Sequence, residues 1–133
     1  MPAFEVSVDV DVAPGTAWEV VRDPCAITRW YPRYVRCHAV RDMRILERAD
    51  GVKVQERFLR RDEDAMTLTS TVLSGLACTD HLNIFRVEPL EPGCRITWWT
   101  RAEGADPASD VGAWLPEEHR TALAGLRDYL EDI

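Results

Sequence analysis

A chain of 133 residues, 46% of them hydrophobic, is sized for one domain around one core. Its formal charge of -7 and pI near 4.9 argue against a nucleic-acid footprint or an anchor on anionic membranes, both of which need clustered positive charge. No apolar run approaches the roughly twenty residues of a membrane span, and no glycine-rich phosphate loop or internal repeat is present.

Phe4, Val6, Val8, Val10 and Val12 alternate with Glu5, Ser7, Asp9 and Asp11, the period of a strand with one buried face and one wet face. Pro14 suits a first helical turn, and Ala17, Trp18, Val20 and Val21 form a short apolar face before Asp23-Pro24 ends it. A brief second helix over 25–30 stops near Pro32. Strands are then expected over 35–40, 43–48, 52–60, 66–74, 78–88 and 94–101, separated by Ala49-Asp50-Gly51, Asp62-Glu63-Asp64, Gly75 and Glu91-Pro92-Gly93. After Pro107, Gly112 and Pro116, which are expected to break the helix start and leave 106–116 as a candidate lid, Leu115, His119, Ala122, Leu123, Leu126, Leu130 and Ile133 mark one face of a terminal helix.

Of the 16 basic residues only Lys53 is a lysine, a bias that fits a GC-rich bacterial genome. Cys25, Cys37, Cys78 and Cys94 form no Cys-x-x-Cys pair, and the alternating N-terminus lacks the charged start and apolar run of a secretory leader. Free thiols and a cytoplasmic location are expected, with two disulfides as the alternative that the even count leaves open. His38 and Cys37 fall on opposite strand faces, and no residue set has metal-site spacing.

Pro14 ahead of Trp18, then Trp30-Tyr31-Pro32, a strand containing Ile96-Thr97-Trp98, and a closing helix give the chain its likeness to a known group. It resembles the START-like (Bet v 1-like, SRPBCC) superfamily, especially its bacterial polyketide cyclase/dehydrase branch, over nearly its whole length. The resemblance implies an α+β helix-grip fold: a seven-stranded curved antiparallel sheet wrapped around a C-terminal helix, with two short helices after the first strand. It also implies a ligand cavity between sheet and helix, and carries Trp30 and Trp98 onto positions that often line it. Simple core packing is the plainer reading of both tryptophans.

Three inward positions on successive strands are polar. Glu56 shares a parity with Val52, Val54 and Phe58, and Ser70 lies inward on the next strand. His81 and Asn83 occupy the track of Phe85 and Val87. Buried polar groups are costly unless satisfied, so their shared placement points to a lined cavity. Simple hairpin folding sets Glu56 opposite Ser70, Ser70 opposite His81, Asn83 opposite Thr100 and Phe85 opposite Trp98, leaving the Glu56 and His81 backbones about 10 Å apart. With Ser70 in the middle, a hydrolytic triad is disfavoured, because the imidazole must stand between hydroxyl and carboxylate.

The expected function is therefore a cofactor-independent cyclase or dehydratase of bacterial secondary metabolism, of the polyketide cyclase/aromatase kind. Glu56 and His81 act as acid and base. Trp30, Tyr34, Phe58, Phe85, Trp98 and Trp114 shape an apolar pocket, while Ser70, Asn83 and Thr100 orient carbonyl oxygens and His119 stands at the mouth. The partner is a hydrophobic polyketide-like or aromatic molecule, with no metal. The alternative is a non-catalytic carrier or sensor of a hydrophobic metabolite or lipid. The plainer readings are an arginine-paired Glu56, a satisfied core His81 and a His119 that merely packs. Trp18, Trp99 and Tyr129 offer aromatic surface for a homodimer contact.

Overall fold

The computed structural model describes residues 3–76, 78–104 and 111–133. Strand β1 (Ala3–Val10) precedes helices α1 (Pro14–Val21) and α2 (Ile27–Trp30). Strands β2 (Tyr34–Val40), β3 (Met43–Arg48), β4 (Lys53–Asp62), β5 (Thr67–Ser74), β6 (Cys78–Pro89) and β7 (Cys94–Gly104) follow, and α3 (Val111–Asp132) closes the chain. The strands form one sheet in the order β1-β7-β6-β5-β4-β3-β2, antiparallel throughout, so the first strand closes against the last. This is the helix-grip arrangement expected from the sequence.

Alternation decides which face is buried. Val6 and Val10 of β1, Leu46 of β3, Val54 of β4, Leu68 of β5, Phe85 and Val87 of β6, and Ile96 and Trp98 of β7 all enter one core with Leu123, Leu126 and Leu130 of α3. Each fully buried aliphatic side chain contributes about 1.5–3 kcal/mol, and α3 supplies three of them at helical spacing. Gly125 faces α2 so closely that a Cβ there would meet the Trp30 carbonyl oxygen at 2.6 Å. The helix thus approaches the turn that carries Trp30 almost to backbone contact.

Several expectations are corrected. Gly112 and Pro116 do not break α3, which runs from Val111 to Asp132 with Pro116 inside it. Leu115 and His119 are buried on either side of the proline, and their packing holds the turn helical despite the missing N–H. The remainder of the candidate lid, 106–110, lies outside the described residues. Ile133 follows the helix end and is exposed. Trp18 is not a surface residue either: it is buried, with its indole N–H donating to Glu63 Oε2 at 2.8 Å.

The expectation of free thiols also fails, because Cys25 and Cys37 are bonded, with Cα atoms 5.3 Å apart. Two turns and α2 fold the chain back on itself between them, a juxtaposition that spacing alone does not reveal. Cys94 is free and buried, and the Cys78 side chain lies outside the described residues.

Candidate functional site

Between the sheet and α3 lies a cavity in which the space open to the centre of a water-sized sphere is about 120 Å³. Its apolar wall includes Ile27, Leu68, Val72, Phe85, Trp98 and Leu115, and its polar groups include Arg44, Glu56, His81, Asn83 and His119. Of the residues singled out in the sequence, Trp30, Tyr34, Glu56, His81, Asn83, Phe85, Trp98, Trp114 and His119 line this cavity. Phe58, Ser70 and Thr100 are not among its lining residues.

Strand phase was read as the structure has it, but two registers were not. Asn83 faces Thr100 and Phe85 faces Trp98 as expected. Ser70, however, lies opposite Phe58 and Asn83, while Val72 is the residue facing both Glu56 and His81. Both errors amount to two residues, which preserves which side of the sheet each side chain takes. The first originates in the longer β4–β5 turn, where Asp62 pairs with Thr67 and the ladder shifts between Phe58 and Arg60; the second belongs to the separate β5–β6 ladder, where Val72 pairs with His81.

Glu56 is held by three hydrogen bonds. Arg44 Nη2 donates to its two oxygens at 3.3 and 3.1 Å, and Ser70 Oγ donates to Oε2 at 2.8 Å. Arg44 itself is anchored by a 2.7 Å hydrogen bond from Nη1 to the Pro24 carbonyl, and its guanidinium lies 5.1 Å from the Phe58 ring centre. Arg44 was missed in the sequence. The signal was there, since it shares the inward parity of Leu46, and an inward arginine demands a carboxylate.

Asn83 organises the opposite side. Trp98 Nε1–H can only donate, and it reaches Asn83 Oδ1 at 2.8 Å, so this oxygen faces the indole. Thr100 Oγ1 donates to the same oxygen at 3.0 Å and lies 3.3 Å from His119 Nδ1. A threonine hydroxyl has one proton, so with that proton on Asn83 it is His119 Nδ1 that donates to Thr100. The His119 ring stacks on Trp98 with centroids 3.4 Å apart. Burial, helped by repulsion from His81, pushes its pKa down to about 3.

His81 follows Asp80, which has left-handed backbone (φ 50°), at a point where the β6–β7 ladder shifts between Thr79 and Leu82. Such a bulge re-aims side chains, and here His81 reaches the cavity wall. Burial lowers its pKa, with Glu56 and Asn83 pulling the other way. At the mouth, Tyr31 Oη donates to Glu118 Oε1, and Arg33 Nε meets the same oxygen at 3.0 Å. Burial and the Glu118 hydrogen bond push the Tyr31 hydroxyl far above its usual range, and burial pushes Tyr34 up to about 12. Both tyrosines are neutral phenols at ordinary pH.

A curved antiparallel sheet gripping one long helix, with a cavity between them lined by aromatic and polar groups, defines a helix-grip domain. The family model for polyketide cyclase / dehydrase and lipid transport proteins matches residues 1–131, and the chain belongs to that family. Among solved structures it is similar to protein XoxI from Bacillus cereus (16% identity, TM-score 0.89, covering 99% of this chain and 97% of that one). It is also similar to a START superfamily protein from Mycobacterium smegmatis (16%, 0.87, 98% and 97%). A third is norcoclaurine synthase from Thalictrum flavum, solved in complex with dopamine and hydroxybenzaldehyde (16%, 0.73, 98% and 84%). At these identities the likeness is one of fold. No curated protein matches the chain.

Proposed function

We propose that this protein binds a small hydrophobic molecule in the sheet–helix cavity and acts by holding it, as a carrier or sensor. The observation that carries this reading is the state of Glu56. An acid/base carboxylate must offer a proton or lone pair to its substrate, whereas Glu56 spends three of its roughly four acceptor sites on Arg44 and Ser70. The family description, which includes lipid transport, supports a hydrophobic ligand.

A second reading, cofactor-independent cyclisation or dehydration of a polyketide-like or aromatic substrate, is favoured by His81. Its imidazole lines the cavity and is neutral near pH 7 because burial lowers its pKa, the form a general base needs. Glu56 then steadies the imidazolium as it forms.

Native mass spectrometry of protein purified from its source, together with a tryptophan-fluorescence titration with phenol, tests the binding reading. Saturable binding weakened by His81→Asn and by Trp30→Ala is expected. A flat titration with no co-purifying mass sinks it. Turnover of a co-purified molecule that is abolished by His81→Asn would replace the carrier with the enzyme.

A further inference from the structure

Every buried charge described on the cavity wall has an opposite charge beside it. Arg44 is paired with Glu56 at 3.1 Å, both 7% exposed. At the mouth Arg33 is paired with Glu118 at 3.0 Å, and the half-buried Arg48 with Asp50 at 3.0 Å. Asp23, the remaining acidic lining residue, is exposed to water and accepts the Cys25 N–H at 3.1 Å. The other lining groups are aromatic, aliphatic or uncharged polar side chains.

We propose that the cavity selects an electrically neutral molecule of about one ring and turns away carboxylates, fatty acids included. This rests on the binding reading above and adds the ligand's charge and shape. A ligand carboxylate entering the cavity loses its hydration, and the nearest buried cation, Arg44, is already committed to Glu56. Displacing Glu56 only transfers the unpaired charge to that carboxylate, with Ser70 as the donor it keeps. A ligand ammonium meets the mirror-image obstacle, since Glu56 is committed to Arg44.

Shape follows from the walls. A cavity of about 150 Å³ lined by apolar side chains takes a benzene ring, so about 120 Å³ of centre-accessible space suits a compact ring system better than an extended chain. Trp30, Tyr31, Tyr34 and Phe85 contribute aromatic rings to the cavity wall. His81 and Asn83 give the ligand a hydrogen-bonding group without a formal charge.

The test uses two molecules of one shape. Benzamide and benzoate differ chiefly in charge at pH 7.5, and decanoate supplies the lipid-like chain. Each is titrated into the full-length protein by tryptophan fluorescence and calorimetry. The amide is expected to bind at least about tenfold tighter than the acid, with decanoate weaker than both. Glu56→Gln frees Arg44 to pair with a ligand carboxylate, so in that variant the preference is expected to shrink or reverse.

Acid or decanoate binding within about threefold of the amide in the unmodified protein overturns the proposal and leaves the binding reading standing. A Glu56→Gln protein that folds but keeps the original ratio overturns the charge argument. If that variant does not fold, the ratio in the unmodified protein decides alone. Failure of all probes, phenol included, removes both the binding reading and this inference.

Discussion

Replacing Arg44 by Met removes the cation from the cavity wall while keeping most of the side-chain volume that packs on Phe58. In the folded protein Arg44 satisfies two oxygens of Glu56 and the Pro24 carbonyl, in surroundings where both partners of the ion pair are 7% exposed. The variant leaves Glu56 buried with one remaining donor, Ser70. Orphaning one member of a buried pair costs about 3–5 kcal/mol. For a domain of this size that is a fall in melting temperature on the order of 10–20 °C. Urea denaturation at pH 7.5, with thermal melts alongside, measures it. The control is Arg44→Met with Glu56→Leu, which removes both charges and is expected to recover most of the loss, because a buried pair is often no better than an apolar pair of similar volume. A loss below about 1 kcal/mol for the single variant would mean that the pair is hydrated. A double variant as unstable as the single would place the cost in packing and not in the orphaned carboxylate.

Ser70→Ala removes the third hydrogen bond to the same carboxylate and is expected to cost about 1.5–3 kcal/mol in the same urea assay. His119 provides a pH signature. Its folded pKa lies below the unfolded value of about 6.5, so stability is full above that pH and falls as the unfolded chain takes up the proton first. The loss attributable to this histidine reaches about 2 kcal/mol by pH 5, and stability-versus-pH curves for His119→Asn should lack that component of the slope. Reducing the Cys25–Cys37 bond, or replacing both residues by Ser, opens a loop of separation 12 and is expected to cost about 2–3 kcal/mol. Melts with and without a dithiol reductant, set against the double-serine protein, provide the measurement. Coincident curves for all three would contradict the bond.

Strand phase was legible because the side-chain period of a strand is two residues. Alternation around Val54, Phe85 and Ile96 turned Glu56, His81, Asn83 and Thr100 inward without any knowledge of pairing. Register was less legible, since it depends on turn length. Met66 takes left-handed backbone in the β4–β5 turn, a conformation that Asp62-Glu63-Asp64 does not announce. The partner of Glu56 went unread because charge pairing is a property of neighbouring strands, and Arg44 sits directly across from Glu56 on β3. Likewise, stacking of His119 on Trp98 needs the angle at which α3 crosses the sheet, which helical spacing in the sequence leaves open.

The bare backbone at Gly125 makes the depth of the hollow adjustable by a single codon. Any side chain there acts as a spacer between α3 and the Trp30 carbonyl, prising the long helix outward from the turn. A lineage or an engineer seeking room for a bulkier guest has a shim at position 125, set by overpacking that costs about 1–3 kcal/mol.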